Sequence, residues 1–364
     1  MIAGDECECE VSCPDLCSCS KQQTSCISRN LTSIPNGIFE QTEFLILESN
    51  NIKDIPPGVF STLQTLYHLI LNENDIETIR NDTFGGLGKL TILSLKSNKI
   101  TELAAKAFRS LTNLTLLHLA KNFIKAIKEE VFFGLHNLNY LYLGDNDIES
   151  IHNGSFRGLH NLQLFLLLNN DITDFGEGVF NHQSRLIKIH LSRNNIRLVE
   201  KGVFRGLYEL EELNLQHNLI KSIDMKIFKE LPKLEYLDLS ENRLICNCAL
   251  VSLKDLYIVL NHGDGIMCTE TTGVDLGNVP DYDLCTNKGD YCRRENVTII
   301  NGHSIDSVYG VSVIRCAFMC DAKQECNAFQ HPNGLQRVCN LWSIGDKTSW
   351  LTNVTRYVDI YERC

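Results

Sequence analysis

The chain has 364 residues, enough for several small domains or one elongated array plus a module. Its 34 basic and 45 acidic residues leave a net charge of −11. That balance argues against nucleic acid, heparin-like polymers and anionic membrane as partners of the whole molecule. Residues 286–364 are near balance, with nine basic and eight acidic residues, so the acidity lies before them. No apolar run approaches the ~20 residues of a membrane span, and MIAGDECECE lacks the hydrophobic region of a signal peptide. A processed, truncated or recombinant segment, without its signal and with or without an anchor in the full protein, is the expectation.

Sixteen cysteines cluster at the two ends, and none falls between Arg29 and Ile245. In an oxidising compartment such clusters pair; in the cytosol they would more often hold zinc. Their position, flanking a repeat array, favours pairing. The first cluster, after Cys7 and Cys9, is CPDLCSCSKQQTSC, with Cys13, Cys17, Cys19 and Cys26.

From residue 50 to residue 242 an asparagine recurs every 24 residues, nine times in all. Apolar residues precede each at fixed offsets, as Leu138, Leu141 and Leu143 precede Asn146, and Ile148 follows two places later. A phenylalanine stands ten places after each of the first eight asparagines, from Phe60 to Phe228. Units this small cannot bury an apolar face alone, so they must stack. The leucines are expected to turn inward from short strands. Each asparagine is placed to bond turn backbone that would otherwise be buried unpaired. The phenylalanines should stack as a spine away from the strands.

The pattern L-x-x-L-x-L-x-x-N-x-I resembles the extracellular leucine-rich-repeat family. The resemblance implies an α/β-type solenoid with a curved parallel sheet, 24-residue repeats and disulfide caps. It implies an N-terminal cysteine-rich segment and cap over residues 1–35 and repeats over 36–243. Within that cap it pairs Cys13 with Cys19 and Cys17 with Cys26. After the repeats, CNC at 246–248 with Cys268 and Cys285 resembles the family's C-terminal cap over 244–285. There it implies Cys246 with Cys268 and Cys248 with Cys285.

The period is lost from residue 286. SVIRCAFMCDAKQECNAF reads as an amphipathic helix followed by a strand, with Cys316 and Cys320 on one helix face. The spacing C-x3-C-x5-C-x-A-F, then C-N-L from Cys339, resembles a PAN or apple module, a small α+β domain over 286–364. That resemblance implies Cys316 with Cys339, Cys320 with Cys326 and Cys292 with Cys364. It also implies a binding role for protein or carbohydrate, with Arg293, Arg294 and Arg337 as candidates for anionic sugars.

With the register set by the asparagines, the third, fifth and seventh consensus positions of each repeat point away from the leucine core, onto what the resemblance makes a concave face. Leu116, His118, Tyr140, Tyr142, Leu164, Leu166, Leu168 and Ile187 would adjoin there as an apolar patch. Glu212 and Asp238 mark an acidic end with Glu211, Glu235 and Glu241. Such a patch on an acidic protein points to a protein or peptide ligand. Self-association or cover by another part of the chain are the competing explanations. Six N-x-S/T sequons, at Asn30, Asn81, Asn113, Asn153, Asn296 and Asn353, are candidate glycosylation sites. None takes a displayed face position, and Asn81 and Asn153 share one position past the strand.

No nucleophile elbow, phosphate-cradling glycine loop or zinc-peptidase histidine pair appears. The sequence therefore predicts no enzyme, no cofactor and no metal. It predicts an extracellular recognition protein, a receptor ectodomain or secreted receptor; a non-catalytic accessory subunit or matrix protein is the alternative.

Overall fold

The computed structural model describes residues 13–20, 22–176 and 178–245, together with the backbone of short strands at 267–268, 274–275, 303–309, 328–332, 338–343 and 358–362. The chain divides into two units, Met1–Leu166 and Leu167–Cys364.

In the first unit, alternation of apolar and variable residues gives strands of three residues whose central side chain points inward. A hairpin opens it, with β1 (Ser18–Cys19) antiparallel to β2 (Gln23–Ser25). Then follow β3 (Phe44–Ile46), β4 (His68–Ile70), the two-residue β5 (Thr78–Ile79), β6 (Ile92–Ser94) and the two-residue β7 (Glu102–Leu103). Next come β8 (Leu116–His118), the two-residue β9 (Ala126–Ile127), β10 (Tyr140–Tyr142), the two-residue β11 (Ser150–Ile151) and β12 (Leu164–Leu166). From β2 the main sheet is parallel in the order β2, β3, β4, β6, β8, β10, β12. Every pairing within the repeats joins residues 24 apart, as the asparagine spacing predicts. The two-residue strands pair separately behind it, β5 with β7 and β9 with β11.

The core has two layers of contact. Leucines such as Leu69, Leu93, Leu117 and Leu141 are fully buried, each contributing about 1.5–3 kcal/mol of transfer free energy. Behind them Phe60, Phe84, Phe108, Phe132 and Phe156 stack with centroids 5.8–6.5 Å apart. The asparagine ladder joins the turns. Asn98 donates through Nδ2 to the carbonyls of Leu71 (2.9 Å) and Leu95 (3.0 Å), and its Oδ1 accepts from the Ile76 amide (3.1 Å). Asn50 does the same for the cap, accepting from the Arg29 and Leu31 amides and donating to the Cys26 carbonyl. The cap's bridges are Cys13–Cys19 and Cys17–Cys26, as the family resemblance implied.

The second unit repeats the scheme with β13 (Lys188–His190), β14 (Glu212–Asn214) and β15 (Tyr236–Asp238), parallel and again in 24-residue register. Phe180 and Phe204 stack at 6.3 Å. Phe175, at a position where other repeats carry isoleucine or another aliphatic residue, is buried against Phe180 at 5.6 Å. Farther on, β16 (Met267–Cys268) pairs antiparallel with β17 (Val274–Asp275). β18 (His303–Tyr309), β19 (Ala328–Pro332), β20 (Val338–Ser343) and β21 (Val358–Glu362) form an antiparallel sheet in the order β18, β20, β19, β21. The expected helix around Cys316 and Cys320, and the pairings expected of Cys246, Cys248, Cys268, Cys285, Cys292, Cys316, Cys320, Cys326, Cys339 and Cys364, lie outside the described residues.

One expectation needs correction. The α half of an α/β solenoid is absent among the described residues: the return paths are turns, paired two-residue strands and a single 3-10 helix, Met225–Glu230. A 24-residue repeat that spends its residues on a strand, an asparagine turn and a buried phenylalanine leaves too few for an α-helix of ordinary length.

Candidate functional site

The site is built by register. β8, β10 and β12 align Leu116 with Tyr140 and Leu164, and His118 with Tyr142 and Leu166. Their partners in sequence, Leu117, Leu141 and Phe165, are fully buried on the other face. So the three-strand ribbon holds six candidate residues together, and each points away from the core. Tyr140 is 39% exposed and the other five are half-buried, shielded by one another and open to solvent above.

His118 is fixed within this patch. Its ring stacks on Tyr142, with centroids 4.8 Å apart and planes 13° apart, and its Nδ1 accepts from the Ala120 amide at 3.4 Å. Burial, helped by the charge of Lys96, lowers its pKa to about 4. His118 is therefore neutral at physiological pH, and the patch carries no charge of its own.

The apolar surface also reaches farther than the sequence reading placed it. The same two rows continue through Ile92 on β6, Ile70 and His68 on β4, and Phe44 and Ile46 on β3, all half-buried. Phe44 packs edge-on against His68 at 4.8 Å, and burial lowers the His68 pKa as well. The signal was in the sequence at the same offsets, interrupted only by His68 and Ser94. Ser94 is buried, and its hydroxyl donates to Asn72 Oδ1 at 2.5 Å. From β3 to β12 the ribbon is about 24 Å long.

The remaining candidates belong to the second unit. Leu168 and Ile187 are half-buried there. Glu212 meets Lys188 Nζ at 2.7 Å and His190 Nε2 at 2.6 Å. Burial alone would raise its pKa, but these two hydrogen bonds hold it below the usual carboxylate value. Asp238 accepts through Oδ1 from the Ser240 amide (2.9 Å) and hydroxyl (2.7 Å), and Tyr236 donates to its Oδ2 at 3.5 Å. Both carboxylates expected to form an acidic end are thus engaged within the protein.

Among the described residues no group of three or more histidine, cysteine or acidic side chains is placed to hold a metal, and no helix is long and apolar enough to cross a membrane. Asn30, Asn81, Asn113 and Asn153 are exposed, and none lies on the outward rows of the main sheet; Asn296 and Asn353 lie outside the described residues.

Fold and ladder together define a leucine-rich-repeat protein. The family model "Leucine rich repeat" matches in overlapping blocks from residue 40 to residue 262, more than half of the chain, and the chain belongs to that family. Among curated proteins it is 42% identical over 64 residues to the insulin-like growth factor-binding protein complex acid labile subunit of Papio hamadryas, covering 16% of this chain and 11% of that one. It is 41% identical over 59 residues to chondroadherin-like protein of Mus musculus, covering 16% and 8%. It is 34% identical over 58 residues to leucine-rich repeat-containing protein 26 of Rattus norvegicus, covering 16% and 17%. The chain thus spans a small fraction of the length of these relatives. Among solved structures an internalin from Listeria monocytogenes superposes with a TM-score of 0.51 over 64% of each chain, at 22% identity, a likeness of fold alone.

Proposed function

We propose that the chain is an extracellular recognition protein whose outward sheet face in the first unit, centred on Leu116, His118, Tyr140, Tyr142, Leu164 and Leu166, binds a protein or peptide ligand. The observation that carries this reading is the uncharged, half-buried apolar ribbon aligned by register beside a fully buried leucine core. Clustered aromatic and aliphatic side chains of this kind supply most of the energy of protein interfaces. The bridges Cys13–Cys19 and Cys17–Cys26 support an oxidising, extracellular setting. In the second unit, taken by itself, Leu168, Ile187, Glu212 and Asp238 are further candidate ligand contacts. The C-terminal segments act as a cysteine cap at 244–285 and a PAN/apple-like module at 286–364 that binds protein or carbohydrate; the antiparallel sheet β18 to β21 supports a separate module there.

A receptor ectodomain or secreted receptor fits this face best. A non-catalytic accessory subunit is the second reading, favoured by one observation: the acid labile subunit, similar over 64 residues, is by name part of a binding-protein complex. Light scattering and thermal melting of the natural chain and of Leu166→Glu test the proposal. Two monomers with equal melting temperatures leave the face open for a ligand. A natural dimer that the substitution splits makes the face a self-association surface, and a collapse of stability makes Leu166 core; either result overturns the reading.

A further inference from the structure

The repeats separate a sequon whose two positions recur in repeats without one from two sequons whose positions do not. Asn113-Leu-Thr115 is explained twice over. Asn113 donates to the Gly88 carbonyl at 2.8 Å, and the next two repeats carry the same rung without a sequon: Asn137 donates to the Thr112 carbonyl at 2.9 Å and Asn161 to the His136 carbonyl at 2.8 Å. Thr115 donates to the Thr91 carbonyl at 3.0 Å, as Thr91 does to the Tyr67 carbonyl at 3.1 Å, again without a sequon. Two independent ladders cross there.

Asn81-Asp-Thr83 and Asn153-Gly-Ser155 differ. Each asparagine stands two residues past a small back strand, after Ile79 and after Ile151, and is exposed. Their amides make no hydrogen bond among the described residues. The hydroxyl two places on occupies a row that is otherwise apolar: Val59, Ala107, Val131, Val179, Val203 and Ile227 in the other six repeats. Thr83 and Ser155 are each 1% exposed. A hydroxyl is unfavourable in such a row unless it is bonded, and both are: Thr83 accepts from the Arg80 amide at 3.1 Å, and Ser155 donates to the Ile127 carbonyl at 2.8 Å. The Ile127 carbonyl also accepts from the His152 amide at 2.9 Å, and the Ser155 hydroxyl reaches the Lys128 carbonyl at 3.2 Å as well. Along the asparagine row the other six repeats carry Pro57, Ala105, Glu129, Glu177, Lys201 and Met225. Asparagine and buried hydroxyl therefore occur together twice and separately never.

We infer that Asn81 and Asn153 are N-glycosylation sites, and that Thr83 and Ser155 stand in the apolar row because the modification requires them. The inference rests on the extracellular reading above. In the reaction, the asparagine Nδ2 attacks the anomeric carbon of a lipid-linked oligosaccharide diphosphate. An N–C bond forms, the C–O bond to the diphosphate breaks, the diphosphate leaves with the electron pair, and a base takes the amide proton. The two sites lie three repeats apart, about 14 Å along the stack. Their oligosaccharides would clothe the back of the first unit and leave the outward face of the main sheet uncovered.

The test is peptide mapping of the full chain secreted from an animal cell, with the glycans released enzymatically in heavy-oxygen water so that an occupied asparagine becomes labelled aspartate. Label at both Asn81 and Asn153 is expected, with loss of the second in Ser155→Ala. The glycan-stripped Ser155→Ala protein should melt within about 2 °C of the stripped natural one, since Ala107 serves at the same position. Bare asparagines in a protein whose Cys13–Cys19 and Cys17–Cys26 bridges have formed would overturn the inference and leave the extracellular reading standing. A melting loss of many degrees in Ser155→Ala would also overturn it, by making the hydroxyl structural. Reduced cysteines together with bare asparagines would overturn both.

Discussion

At the scale of single residues, the asparagines decide whether the coil closes. Asn146 is 6% exposed, donates to the Leu119 and Leu143 carbonyls at 3.1 and 3.0 Å, and accepts from the Ile124 amide at 3.1 Å. Replacing it with alanine leaves buried backbone groups unpaired, at a cost of roughly 3 kcal/mol or more. Asn137→Ala removes one exposed rung and should cost under about 1 kcal/mol. Denaturant melts of the two variants compare these values directly. His118 adds a pH dependence. Its unfolded value is 6.5 and its folded value about 4, so the folded protein binds fewer protons between those limits. Its contribution is complete above pH 6.5 and is lost as pH falls toward 4, and His68 acts in the same direction. His118→Phe keeps the stack on Tyr142 and removes this titration. Its melting temperature should therefore change less between pH 7 and pH 4.5 than that of the natural protein.

At the scale of elements, much was legible and some was not. The 24-residue spacing set the strand register, because an inward side chain in a three-residue strand leaves no room for slippage. The phenylalanine spine and both described bridges followed from the same pattern and its family resemblance. The residue before each repeat asparagine was not legible. Ser49, Glu73, Ser97, Lys121, Asp145, Asn169, Arg193, His217 and Glu241 all have φ between +52° and +57°, the left-handed region glycine usually fills, yet none is glycine. Stacking imposes it: the amides of Glu73, Ser97 and Lys121 donate to the Lys96, Ala120 and Gly144 carbonyls of the next repeat at 2.9–3.0 Å. Neighbour contacts of this sort leave no trace in local composition. The apolar rows before β8 were legible but undervalued, since His68 and Ser94 interrupt them in sequence while the fold shields both. The N-terminal cap yields a further prediction. Each of its bridges contributes about 2–5 kcal/mol, and Asn50 ties residues 26–31 to the first repeat. Mild reduction should therefore release amide-exchange protection around β1 and β2 first, while β8 and β10 keep theirs.

At the scale of the whole molecule, each repeat spends its conserved chemistry on stacking and leaves a few positions per strand to vary. Function must then be written on those positions, and on the first unit they spell an uncharged apolar ribbon in a chain of net charge −11. The most direct measurement is capture of binding partners from the source's extracellular fluid by the immobilised natural chain, by Leu166→Glu, and by Lys128→Glu on an exposed residue just past β9. The account predicts that a partner held by the natural chain is lost on Leu166→Glu and kept on Lys128→Glu, with all three proteins melting alike. A partner kept by Leu166→Glu and lost on Lys128→Glu would contradict it and move the binding surface to the back of the repeats.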